Sequence, residues 1–164
     1  MEIKGRCWKF GDNINTDLII PARYLTAYEP TELAKHCMED ADPEFPTKVR
    51  PGDIIVAGDN FGCGSSREHA VLALKGAGIS VVVARSFARI FFRNAINTGL
   101  PIIESKPAAA EIEEGDEIVL DLSSGRLENI TTGEEFSIEK FPQFLTEIVI
   151  QGGLLPWAKA SLIK

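Results

Sequence analysis

Residues 58–70 read Gly58-Asp-Asn-Phe-Gly62-Cys-Gly64-Ser65-Ser66-Arg67-Glu68-His69-Ala70. A short apolar, β-branched run, Asp53–Ala57, precedes this stretch, and an apolar run at helical spacing, Ala70–Ala77, follows it. The first reads as a buried strand and the second as a helix, so the quoted residues form a strand-to-helix crossing. Gly62 and Gly64 permit backbone conformations closed to other residues and let the chain approach a ligand closely. Ser65 with Glu68 three residues on fits a capping box, which predicts a helix N-terminus at Ser65. A helix N-terminus offers unpaired N–H groups and a positive field that suit an anion. Arg67 adds a guanidinium able to grip a carboxylate through two parallel bonds.

The same surroundings stabilise an alkoxide at Ser65 and make it a candidate base. Most Ser-x-x-Glu matches are only helix caps, so spacing alone favours the cap and puts an anion site second. Two nucleotide motifs fail here. A Walker A loop needs Gly-Lys-Ser/Thr, and no lysine is present. A dinucleotide fingerprint starting at Gly62 meets Arg67 where its last glycine belongs.

The run Asn60–His69 resembles the signature of 3-isopropylmalate dehydratase small subunits, in the aconitase superfamily, and the likeness extends over nearly the whole chain. The size resembles the short form of that subunit, which also serves homoaconitase and the methylmalate and dimethylmalate dehydratases. The resemblance implies the swivelling β/β/α domain of that superfamily. It also implies a hydro-lyase that turns 2-isopropylmalate into 3-isopropylmalate in leucine biosynthesis, by dehydration and rehydration. The implied partner is a large subunit holding a 4Fe-4S cluster, with three cysteine ligands and one open iron that acts as a Lewis acid. On that reading Ser65 takes a proton from the neighbouring carbon, while Arg67, with Gly64, Ser66 and the backbone there, holds a carboxylate.

The composition agrees with this class. The chain has 164 residues, 45% hydrophobic and 25% charged, which suits one α/β domain spanning 1–164 with a proper core. A net charge of −7 and a pI near 4.9 argue against a nucleic-acid binder. No apolar run approaches a membrane span, and the first residues lack signal-peptide form, so the expected location is cytoplasmic. Cys7, Cys37 and Cys63 are odd in number and widely spaced. That predicts neither a disulfide framework nor a metal site in this chain.

Along the chain, Ile3–Phe10 reads as a first strand and 11–17 as a turn-rich loop. Asp17 is by itself one more turn residue. Its Thr16-Asp17 pair matches the superfamily's active-site pair, which implies a supporting role such as orienting Arg67. Arg23-Tyr24-Leu25-Thr26-Ala27 leads to a helix at 31–39 with Pro30 near its first turn. Tyr24 and Leu25 read simply as packing residues. The resemblance makes this loop the contact for the variable part of the substrate. Relatives that take an extra carboxylate carry arginine just after Tyr-Leu, where Thr26 stands, so an apolar or small substituent is expected. Arg23, three residues earlier, is the competing carboxylate partner.

Residues 40–50 read as a surface connection with few core candidates. Ile79–Ala84 completes a parallel strand–helix–strand unit, with residues 58–66 past the carboxyl end of its first strand. Ser86–Asn97 is predicted as a helix capped by Ser86 and stopped by Gly99, with Arg85, Arg89 and Arg93 along one face. Leu100–Glu104 reads as a strand and 106–115 as a connection. Residues 116–122, 126–130 and 134–138 form a meander, followed by helices at 142–150 and 154–160. His69, one turn after Ser65, invites a Ser–His hydrolase reading, but the Gly-x-Ser-x-Gly elbow is absent. A carboxylate-binding regulatory domain without a partner is the non-enzymatic alternative, against which intact Ser65, Ser66 and Arg67 weigh. The sequence leaves open a homo-oligomer when the chain is isolated.

Overall fold

The computed structural model describes residues 1–163. Strand β1 (Glu2–Lys9) opens the chain, followed by the short helices α1 (Thr16–Ile19), α2 (Pro30–Ala34) and α3 (Phe45–Lys48). Strand β2 (Ile54–Ala57), helix α4 (Glu68–Gly76), strand β3 (Val81–Ala84), helix α5 (Arg89–Thr98) and strand β4 (Ile102–Glu104) form the central run. Helix α6 (Lys106–Glu111) leads to strands β5 (Glu117–Asp121), β6 (Arg126–Asn129) and β7 (Glu135–Ser137), then to helices α7 (Gln143–Gln151) and α8 (Leu154–Ile163).

The seven strands of the described residues lie in one sheet, ordered β4-β3-β2-β1-β5-β6-β7. Strands β1 to β4 are parallel, with Cys7 opposite Ile54, Ile54 opposite Val81 and Val82 opposite Ile102. The meander β5–β7 joins antiparallel to the other side of β1. Because successive strand residues face opposite ways, β2 and β3 feed two cores. Ile55, Ala57, Val82 and Ala84 face a core that also takes Phe45, Ala70, Leu74 and Phe91. Ile54, Val56, Val81 and Val83 face the other, built with Ala108, Ile112, Ile118 and Leu127. Every residue of β2 and β3 is buried, as a parallel pair covered on both faces requires.

Several sequence expectations change. Residues 40–50 are not a bare surface connection: Phe45 on α3 is fully buried, with its ring 4.9 Å from Trp8, edge to face. The 31–39 helix shortens to α2, with the chain continuing as turns. Residues 106–115 contain a real helix, α6, capped by the Ser105 hydroxyl, which accepts from the Ala108 N–H. Lys9 closes its other end by donating to the Ala109 and Ile112 carbonyls. Helix α5 starts at Arg89 rather than Ser86, because the Ser86 hydroxyl is used across the fold by the Asn60 N–H at 2.8 Å. Arg85 therefore lies ahead of the helix, 3.5 Å from Asp59, and does not share a face with Arg89 and Arg93. Gly99 stops α5 in a left-handed conformation, as expected.

Candidate active site

Three loops leave the carboxyl ends of the parallel strands β1, β2 and β3 and interlock there. From the first loop, Asn13 N–H donates to the Asp59 carbonyl at 2.8 Å and Thr16 N–H to the Cys63 carbonyl at 2.9 Å. In return, Gly62 N–H donates to the Ile14 carbonyl at 2.8 Å. From the third loop, Ala88 N–H donates to the Phe61 carbonyl and Phe61 N–H to the Ser86 carbonyl, each at 3.0 Å. Gly62 has φ +82°, and a Cβ there would sit 2.2 Å from the Phe91 ring, so only glycine fits. Open α/β sheets place ligand sites at this end of their strands.

Ser65 and Ser66 stand exposed on the middle loop, beside the exposed Gly64 at φ +97°. Helix α4 begins at Glu68, with Arg67 as its cap residue in an extended conformation and no side-chain cap bond. Ser65 is thus not the helix cap and belongs to no capping box with Glu68. The reason is a distant contact: the Thr16 hydroxyl donates to the Ser65 carbonyl at 2.9 Å and holds the loop open before the helix can start. The field of the helix end consequently reaches Arg67 more directly than Ser65. His69, in the first turn of α4, lies against Tyr28 with ring centroids 4.3 Å apart.

Arg67 is mostly buried, at 16% exposure. One of its terminal nitrogens, Nη1, donates to Asp17 Oδ1 at 2.9 Å and to the Ile20 carbonyl at 3.3 Å. The same Asp17 oxygen accepts the Ala22 N–H at 3.0 Å. The hydrogen bond from Arg67, then that from Ala22, holds the Asp17 carboxyl below the usual carboxylate range. Asp17 is placed by α1, whose first turn is capped by the Asn15 side chain accepting from Leu18 N–H at 2.8 Å.

The loop after Pro21 is held by a charged network. Arg23 donates from Nη1 to Asp40 at 3.2 Å, and from Nη2 to Asp40 at 2.8 Å and Glu39 at 2.9 Å. Tyr24 donates its hydroxyl to Glu39 at 2.7 Å and stacks on His36 at 3.7 Å. Burial pushes Glu39 up, but hydrogen bonds from Tyr24, His36 and Arg23 outweigh it and leave the carboxyl below its usual range. Leu25 is half-buried and Thr26 exposed. Of the residues named from the sequence, the structure pairs Asp17 with Arg67 and leaves Ser65 exposed two residues earlier on the same loop, while Thr16 as the loop's brace and Glu39 as the hub of the network were missed. Thr16 carried no local signal, since its hydroxyl bonds the Ser65 carbonyl, 49 residues along the chain. Glu39 carried none either.

Among the described residues, no three or more His, Cys, Asp or Glu side chains converge in a way that could hold a metal ion. Cys7 and Cys37 are core residues whose thiols burial pushes up, Cys7 to about 12. These thiols lie in separate cores and do not fit an iron–sulfur cluster, which needs several thiolates converging on one point. No described helix is long and apolar enough to cross a membrane.

A mixed sheet with this glycine-serine-arginine loop at its parallel strand ends defines an aconitase-type domain. The sequence profile of the aconitase C-terminal domain matches residues 9–107, and the chain belongs to that family. The chain is 58% identical over 162 residues to the 3-isopropylmalate dehydratase small subunit of Thermodesulfovibrio yellowstonii, covering 99% of this chain and 96% of the relative. It is 59% identical over 160 residues to the isopropylmalate/citramalate isomerase small subunit of Methanocaldococcus jannaschii, covering 98% and 95%. The crystal structure of a 3-isopropylmalate dehydratase from M. jannaschii is similar with a TM-score of 0.93 and 48% identity, covering 99% of this chain and 96% of that one.

Proposed function

We propose that residues 1–164 act as one swivelling domain that brings the base and the carboxylate grip to a 3-isopropylmalate dehydratase. The chain is a small subunit of that hydro-lyase type, working with a large subunit to isomerise 2-isopropylmalate to 3-isopropylmalate in leucine biosynthesis. The carrying observation is the Asp17–Arg67 pair at 2.9 Å, which fixes a mostly buried guanidinium two residues from an exposed serine.

Arg67 keeps Nη2 and Nε for a substrate carboxylate while Nη1 is taken by Asp17 and Ile20. The hydroxyl and N–H of Ser66, with the open backbone at Gly64, complete that grip. Ser65 takes the proton from the carbon next to the leaving hydroxyl and returns it to the other carbon on rehydration. Its alkoxide is stabilised by the neighbouring guanidinium. The large subunit's 4Fe-4S cluster supplies the Lewis acid for the hydroxyl. Leu25 and Thr26 face the variable substituent, where an isopropyl or methyl group loses little on leaving water. The M. jannaschii relative named for citramalate supports a second substrate, the methyl-substituted malate.

The test is anaerobic reconstitution with the large subunit, offering 2-isopropylmalate, citramalate, dimethylmalate and homocitrate in turn. Turnover of 2-isopropylmalate or citramalate is the expected result. Exclusive turnover of homocitrate would make the chain a homoaconitase subunit. Tight carboxylate binding with no turnover would leave the regulatory alternative.

A further inference from the structure

Arg23 is the only cation between Asp17 and Pro30. Its backbone is placed close to Arg67, because Asp17 Oδ1 bridges the Arg67 guanidinium and the N–H of Ala22, the residue just before Arg23. A guanidinium carried on the loop that starts beside the carboxylate grip would ordinarily attract another carboxylate. Here it is already engaged: Asp40 takes both terminal nitrogens in a two-pronged pair, and Glu39 takes a second bond from Nη2. The Tyr24 ring lies under it, 4.9 Å from the guanidinium carbon, and is itself fixed by Glu39 and His36. Two acidic neighbours therefore neutralise the charge that the loop would otherwise present.

We propose that Glu39 and Asp40 are specificity-determining positioning residues, which sequester Arg23 so that the site rejects malates whose substituent ends in a carboxylate. The idea rests on the proposed placement of the substrate against residues 23–26. It adds that selectivity comes from an arginine present and occupied, besides the arginine missing at Thr26. The Arg23–Asp40 pair is substantially exposed, at 55% and 37%, whereas Glu39 is at 22%. An exposed pair such as Arg23–Asp40 contributes little to stability, so it can be removed without unfolding the chain.

The experiment titrates homocitrate into the reconstituted two-subunit complex by calorimetry, and compares wild type, Glu39→Gln/Asp40→Asn, and the same double variant carrying Arg23→Gln. Freeing Arg23 should tighten homocitrate binding roughly tenfold, the size of one added charge-assisted hydrogen bond. Adding Arg23→Gln should return it to the wild-type value. Unchanged binding in the double variant overturns the proposal, and so does tightening that survives Arg23→Gln, since that marks a loosened loop rather than a released charge. Asp40→Asn alone, which leaves the Tyr24–His36–Glu39 contacts in place, should move binding in the same direction and serves if the double variant misfolds. Wild-type turnover of 2-isopropylmalate is measured separately, and its absence would count against the proposed activity while the binding comparison still decides the role of Arg23.

Discussion

Arg67 Nη1 lies 2.9 Å from Asp17 Oδ1, across 50 residues of chain. The aspartate does not pair with the arginine alone, since its same oxygen accepts the Ala22 N–H. One carboxylate thus sets both the direction of the guanidinium and the start of the loop beyond it. Asp17→Asn keeps an acceptor for Ala22 but loses the charged half of the pair. KM for 2-isopropylmalate should rise by roughly tenfold with a smaller change in kcat, as for a lost charge-assisted bond that positions a binding group.

The pH dependence of this pair follows from the lowered Asp17 carboxyl. A depressed carboxylate contributes in full above its unfolded value near 4, and its contribution is lost as pH falls through the still lower folded value. Between about pH 6 and 9, both above that window, the profile of KM should therefore show no inflection from Asp17. An inflection in that range that disappears in Asp17→Asn would mean the aspartate titrates during turnover, against the pairing described.

Ser65→Ala should lower turnover by roughly 10²–10⁴-fold, the range of a general base. The structure adds a second expectation. Because Arg67 and not Ser65 occupies the cap position of α4, the variant should lack the ~1 kcal/mol loss of a removed N-cap. Normal thermal unfolding with depressed turnover is the expected pair of results. A marked drop in stability would restore Ser65 as a cap.

Gly62→Ala tests the loop packing. The residue has φ +82°, and its new methyl would meet the Phe91 ring at 2.2 Å. Left-handed strain and overpacking together should cost roughly 2–4 kcal/mol, read from the shift in denaturant midpoint.

The parallel core was legible because its strands are short all-apolar runs separated by one helix, a pattern local to residues 54–84. The Asp17–Arg67 pairing was also legible, though only through the motif resemblance. What was missed depends on contacts between distant residues. The start of α4 is displaced by Thr16, the start of α5 by the use of Ser86 at Asn60, and the end of α6 is closed by Lys9. Phe45 is a lone aromatic among prolines and charges, and it becomes core through residues distant in sequence, the Trp8 and Phe10 rings among them. Local spacing carries no signal for such pairs.

Isolated from its partner, the chain should bind no stoichiometric iron and show no dehydratase activity. Cys7 and Cys37 lie in separate cores, and the described residues form no converging ligand set. Metal analysis of anaerobically purified protein checks this, and iron near one equivalent or more would contradict it.

Substrate choice gives the last prediction. Thr26 is exposed and uncharged, in a loop whose only guanidinium is engaged by Glu39 and Asp40. A substituent carboxylate placed opposite Leu25 and Thr26 must shed its hydration without gaining a paired charge, which is costly in a closed site. An isopropyl or methyl group gains from the same desolvation. Thr26→Arg supplies the missing partner without disturbing Arg23 or its acids. It should shift the ratio of kcat/KM toward homocitrate over 2-isopropylmalate by roughly tenfold or more, since a guanidinium–carboxylate pair is formed and an apolar contact is lost. Steady-state kinetics on the reconstituted complex measure the ratio directly. An unchanged ratio in a well-folded Thr26→Arg variant would show that this loop does not face the substituent, and the specificity contacts would then have to come from the large subunit.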